Sequence, residues 1–139
     1  MITRTKDLDT IIKATEEYKD SLYGFYPEEW IKCDSNVALT NEYGDVSFFE
    51  RELPFVVSGH YFFFSRGKQA LTEAKKMLRE AFTGPYNIEV IRGLSPLQKL
   101  GARWMNKQLG FRSYGVVQTM AGPCELVILT KTEWLEGVK

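Results

Sequence analysis

The order of β-rich and helix-patterned segments predicts one α+β domain: a mixed sheet with helices covering its faces. Three observations predict it. The β-rich runs come as hairpin-like pairs early and late in the chain. Strand–helix–strand crossovers follow the longest of these runs, so at least one strand pair is parallel. The chain has 139 residues, 44% apolar and 26% charged, which suits a single globular domain, residues 1–139, with a core of its own.

Residues 2–5 read as a short opening strand. Asp7 or Asp9 then starts a helix to about residue 19, with Leu8, Ile11, Ile12 and Ala14 near helical spacing. Residues 18–32 are aromatic and irregular, carrying Tyr18, Tyr23, Phe25, Tyr26 and Trp30. Within them Pro27, followed by Glu28 and Glu29, suits the first turn of a second short helix. Residues 36–40 and 46–50 form a hairpin across turn chemistry at 41–45. Pro54 ends it. Residues 55–64 make a long strand, and Gly59 inside it marks a bulge or a close backbone approach. The clearest helix is 69–82, where Ala70, Leu71, Ala74, Met77, Leu78, Ala81 and Phe82 form one apolar stripe. Gly84-Pro85 stops it. Residues 87–91 are the next strand. Ser95-Pro96 reads as an N-cap and first-turn proline of a helix to about 108, with Leu97, Leu100, Gly101, Trp104 and Met105 on its apolar face. Residues 111–119 and 124–130 close the chain as a hairpin.

Charge and composition exclude several classes. Eighteen basic and eighteen acidic residues cancel, which argues against general binding to nucleic acid or membrane. The balance hides a split: residues 1–53 carry a net −6 and residues 54–139 a net +6. No apolar run is long enough to span a bilayer, and the N-terminus lacks the apolar core of a signal peptide. Cys33 and Cys124 are far apart and read as free thiols. With a single His, a zinc site is not expected, nor is any other metal.

A long strand, a basic loop, an amphipathic helix, a strand, a helix ending in Leu109-Gly110-Phe111-Arg112 and a final hairpin follow one another. This succession resembles the Gcn5-related N-acetyltransferase (GNAT) family over about residues 36–131, and more loosely over 1–19. The match extends to divergent GNAT-like proteins of tailed phages through Gly59-His60-Tyr61-Phe62, Arg66-Gly67-Lys68-Gln69-Ala70 and Gly93-Leu94-Ser95-Pro96. The resemblance implies a GNAT-like mixed, mostly antiparallel central sheet flanked by helices on both faces. It implies acetyl-CoA as cofactor, with Ser65, Arg66, Gly67, Lys68, Gln69 and Ala70 around its pyrophosphate, and an amine as acceptor. Two functions follow from it. One is an acetyl-CoA-dependent N-acetyltransferase. The other is a catalytically silent phage protein, either a virion component or a binder of a host protein, found in the host cytoplasm or the virion. The sequence also departs from the family pattern. Lys68 stands where the loop has its central glycine, and Asn106 stands where the family places the tyrosine that reprotonates the CoA thiolate.

Residue chemistry narrows the site. Pyrophosphate needs several backbone N–H groups converging at a helix N-terminus, and residues 65–69 precede the best helix with a glycine, two cations and a hydroxyl. The same residues also suit an ordinary polar turn. Transfer to a protonated amine is helped by a general base. Glu50, Glu52 and His60 are the candidates, His60 having the suitable ordinary pKa; its plainer role is a half-buried strand residue. At the position of the missing acid stands Asn106, and Tyr61 or Tyr114 could replace it. Tyr23, Phe25, Tyr26 and Trp30 line an acceptor pocket or simply pack. Lys99, Arg103 and Lys107 step by four along one helix and read as a solvated face.

Overall fold

The computed structural model describes residues 1–17 and 26–137. Along them run β1 (Thr3–Arg4), α1 (Leu8–Thr15), α2 (Pro27–Lys32), β2 (Val37–Thr40), β3 (Val46–Leu53), β4 (Val56–Phe62), α3 (Gly67–Thr83), β5 (Val90–Pro96), α4 (Leu100–Gln108), β6 (Arg112–Thr119), β7 (Gly122–Thr130) and α5 (Lys131–Gly137). One seven-stranded sheet has the order β1-β2-β3-β4-β5-β7-β6. Every neighbouring pair is antiparallel except β4 and β5. The predicted fold class is therefore the observed one.

Strand alternation sorts the core into two layers. Val37, Leu39, Phe49, Val57, Ile91, Val127 and Leu129 meet Ala74, Met77, Leu78, Ala81 and Phe82 of α3. On the opposite face Ala38, Val46, Phe48 and Phe62 meet Ile11 and Ala14 of α1, with Trp30 and Ile31 of α2 packed against them. The apolar stripe predicted for residues 69–82 is the buried face of α3. Burying each of its larger side chains stabilises the fold by roughly 1.5–3 kcal/mol.

Helix ends follow local chemistry. Asp7 caps α1 by accepting from the Thr10 amide, and Pro27 occupies the first turn of α2. Leu109-Gly110-Phe111 closes α4 with a full Schellman motif. The Phe111 amide donates to the Asn106 carbonyl at 3.0 Å, and the Gly110 amide to Lys107 at 3.1 Å. Gly110 has φ +92°, a region that costs an L-residue about 1–2 kcal/mol. Gly110→Ala is expected to lower the melting temperature by roughly 3–6 °C without changing the fold, as thermal denaturation would register.

Four expectations need correction. β4 carries no bulge at Gly59, whose pairing with Phe49 is in register. The irregularity lies in the partner strand, between Arg51 and Leu53. Gly59 serves close approach instead, since a Cβ there would stand 3.0 Å from Ile91 Cγ2. Ser95-Pro96 does not start a helix. It ends β5, which runs to Pro96 opposite Cys124. Past Arg92 this strand has no β4 neighbour, so a residue without an N–H breaks no ladder bond on that side. The apolar face predicted for α4 is largely exposed, Leu100 at 71% and Trp104 at 46%. Asn106 is the helix's buried residue. Finally, α5 was not expected. Thr130 caps it, exchanging bonds with the Glu133 amide and carboxylate, and Trp134 stacks on Phe82 at 5.4 Å.

Candidate active site

The site forms where β4 and β5 part. They pair in parallel only over Val56–Val90, Val57–Ile91 and Ser58–Arg92. Beyond that, β4 continues with Gly59–Phe62 along β3, while β5 continues with Gly93–Pro96 along β7. A wedge opens between the two arms in the middle of the sheet. The Gly59 carbonyl oxygen lies 3.9 Å from the position a Cβ on Gly93 would take, so it points across the wedge. Main-chain groups alternate along a strand. The N–H and C=O of Tyr61 therefore also face the wedge, while those of His60 turn toward β3.

On the α3 side of the wedge, the Tyr61 hydroxyl is buried and has no partner among the described residues. Burial pushes its pKa well above the ordinary tyrosine value. Its ring packs edge-on to Phe63 at 5.7 Å. On the β5 arm, Asn106 of α4 is buried and its amide donates to Ser95 Oγ at 2.7 Å.

The loop from β4 into α3 ends at Arg66, and Gly67 takes up φ +60° at the first helical position. A Cβ on Gly67 would meet nothing within 4 Å, so the approach to the helix N-terminus is open. Arg66, Gly67, Lys68 and Gln69 are all exposed, and the first turn carries no acidic residue. Arg66 folds back onto the Phe63 and Ser65 carbonyls. The other two members of the predicted loop are committed inward. Ala70 is in the core, and Ser65 donates its hydroxyl to Asp45 at 2.6 Å. Asp45 itself is fully buried and also accepts the Phe64 and Ser65 amides and the Asn41 side chain. Asn41 bridges onward to buried Glu73, which pairs with Lys76. This network fixes where the loop sits, and the sequence reading did not find it.

The other face of the wedge is charged. Phe48 lies opposite His60 and Glu50 opposite Ser58, so Glu50 and His60 are diagonal neighbours on one face. Both are exposed. Protein crowding around the wedge nevertheless lowers the His60 pKa below its ordinary 6.5, while Glu50 and Glu52 pull it back up. Glu52 is paired with Arg92 at 2.9 Å. Of the predicted aromatic pocket, Trp30 stacks on Phe48 at 4.7 Å and Tyr26 is exposed; Tyr18, Tyr23 and Phe25 lie outside the described residues. Tyr114 is exposed on β6, and among the described residues no contact ties it to the wedge.

The sequence matches no family model and no curated protein. Solved structures do match. A mutant form of the spermidine N-acetyltransferase SpeG from Vibrio cholerae superposes with a TM-score of 0.80 at 10% identity, covering 100% of this chain and 99% of that one. The aminoglycoside acetyltransferase AAC(6')-Ib in complex with coenzyme A gives 0.67 at 15% identity, covering 100% of both chains. The same enzyme with paromomycin and acetyl-CoA gives 0.69 at 14%, covering 100% of this chain and 97% of that one. The fold is that of the GNAT acetyltransferases.

A nucleotide thioester fits the residues present. The wedge supplies free main-chain edges, the start of α3 supplies open N–H groups beside Arg66 and Lys68, and the Tyr61 hydroxyl awaits a partner. No three His, Cys, Asp or Glu side chains converge as metal ligands among the described residues. None of the described helices is long and apolar enough to cross a membrane.

Proposed function

We propose that the protein is an acetyl-CoA-dependent N-acetyltransferase whose acceptor is a cationic amine. The parting of β4 and β5 beside the open N-terminus of α3 is the observation that carries this reading. Acetyl-CoA, when bound, supplies a thioester whose carbonyl carbon is open to a neutral amine. The N–H groups of Gly67, Lys68 and Gln69 would hold the pyrophosphate, aided by the helix dipole and the Lys68 and Arg66 charges. The Tyr61 N–H, turned into the wedge, would face the thioester oxygen and steady negative charge there. On the opposite face Glu50 attracts the cationic acceptor, and a free imidazole nitrogen of His60 takes its proton. Tyr61 Oη, its pKa raised by burial, keeps its own proton through neutral pH, and water would supply the proton for the departing CoA thiolate.

Calorimetric titration with acetyl-CoA tests the reading. Saturable binding is expected, weakened at least tenfold in Lys68→Glu, because a carboxylate at a helix N-terminus repels an anion bound there. No binding by the folded wild type at millimolar acetyl-CoA would overturn it.

One observation favours a second reading. Asn106 has no titratable proton, and its amide is already held by Ser95. The protein would then keep the fold without the transfer, as a phage virion component or a binder of a host protein. Binding of acetyl-CoA with no acetylation of spermidine, aminoglycosides or lysine peptides would favour it.

A further inference from the structure

A second cavity lies at the other end of β4, where Phe55 is about four residues or roughly 13 Å of strand from the opening of the wedge at Gly59. Its volume is about 340 Å³, at the small end of the 300–1,000 Å³ typical of small-molecule sites. Two guanidinium groups, Arg4 and Arg51, line it. Arg4 donates to the Asp34 and Asn36 carbonyls, both at 2.9 Å. Arg51 donates to the Asn87 carbonyl at 3.0 Å and the Tyr86 carbonyl at 2.5 Å. Main-chain carbonyls thus hold both groups in place without neutralising them. Neither forms an ion pair with a carboxylate among the described residues: Asp34, in the lining, pairs with Lys6, although its carboxylate also feels the Arg4 charge.

Asp34, Ser35 and Asn87 add polar groups to the wall, and one part of it is apolar. Pro54, Phe55 and Pro85 contribute, with the Tyr86 ring beneath Arg4 at 5.8 Å from its guanidinium carbon. The Tyr86 hydroxyl is engaged with Glu80 at 2.7 Å, which fixes the ring. The backbone adds a separate observation. Among the described residues only two non-glycines have positive φ, Phe55 at +69° and Asn87 at +55°. Both line this cavity. Non-glycine residues in that region cost energy and concentrate where a surface is shaped for a purpose.

We propose that this cavity is a binding site for a small carboxylate with an aromatic body. Its carboxylate would sit between Arg4 and Arg51, forming charge-assisted bonds that the carbonyls cannot supply. Its ring would cover Pro54, Phe55 and Pro85. A bare inorganic anion would leave that apolar wall in water. The site lies apart from the wedge and stands whatever the wedge binds.

Phenylacetate titrated into the full-length protein, followed by calorimetry and amide NMR shifts, tests the proposal. Saturable one-to-one binding is expected, with shifts at residues 54–55 and 85–87. Affinity should fall at least tenfold in Arg4→Met, whose folding is checked by circular dichroism. It should also be at least tenfold weaker for 2-phenylethanol, which has the ring without the charge. Arg51→Lys is the second variant, since one ammonium cannot hold two carbonyls and also present a flat donor edge; it should weaken binding as well. Absence of saturable binding, an unchanged affinity in Arg4→Met, or phosphate binding as tightly as phenylacetate would each overturn it.

Discussion

Asp45→Ala is expected to cost about 3–5 kcal/mol of stability, because it strips a buried carboxylate from four donors at once, three of them buried. Those donors are the Asn41 side chain, the Phe64 and Ser65 amides and the Ser65 hydroxyl. The three buried donors cannot reach water without moving the loop that leads into α3. Chemical denaturation should therefore show a large fall in midpoint, with a melting temperature lower by roughly 10–15 °C. Ser65→Ala removes one donor along with its bond and should cost only about 1 kcal/mol. The pH dependence supplies a second readout. Burial pushes the Asp45 carboxyl up, but the bonds from Ser65, Asn41 and Phe64 outweigh it and hold the pKa below 3.8. The folded state thus binds fewer protons there than the unfolded chain. The stability this contributes is present above pH 3.8 and is lost as pH falls through the lower folded value. Asp45→Asn should flatten that acid limb. A cost under 1 kcal/mol for Asp45→Ala would sink the claim that this network fixes the loop.

The reasons this network escaped the sequence reading are physical. Asp45 lies in a stretch rich in turn formers, where an aspartate is ordinarily exposed and bonds its own backbone. Phe64 and Ser65 come from 19 and 20 residues away, and nothing in local spacing announces them. What was legible came from periodicity. The stripe from Ala70 to Phe82 gives α3, and Leu109-Gly110-Phe111 gives the Schellman close of α4. Ser95-Pro96 failed because the same pair that opens a helix also ends a strand whose neighbour has turned away. Leu100 and Trp104 failed because helical spacing identifies an apolar stripe without saying what it meets. α5 did leave a trace, since Thr130-Lys131-Thr132-Glu133 has the capping-box pattern. Its seven residues lie outside the terminal hairpin's alternation. At the wedge, the sequence singles out residues 59–70. They could not say that Tyr61, rather than His60, turns its main-chain N–H toward the gap, because that depends on where β5 departs.

His60→Ala should lower kcat/KM for a cationic amine by about a hundredfold or more if its imidazole takes the acceptor's proton. Acetyl-CoA affinity should stay as it was, because His60 turns its main chain toward β3 and its side chain away from α3. The pH profile carries the sharper test. Only the neutral imidazole accepts a proton, so the rate should rise with pH through the His60 pKa. Crowding around the wedge places that limb below 6.5, with Glu50 and Glu52 opposing the shift. Glu50→Gln removes one opposing charge and should move the limb to still lower pH. It should also raise KM for cationic amines more than for neutral ones, since its carboxylate is the attraction lost. A merely structural His60 would leave the limb unmoved by Glu50→Gln. If the acidic limb persists unchanged in His60→Ala, the proton goes elsewhere, and Glu50 becomes the group to test as base.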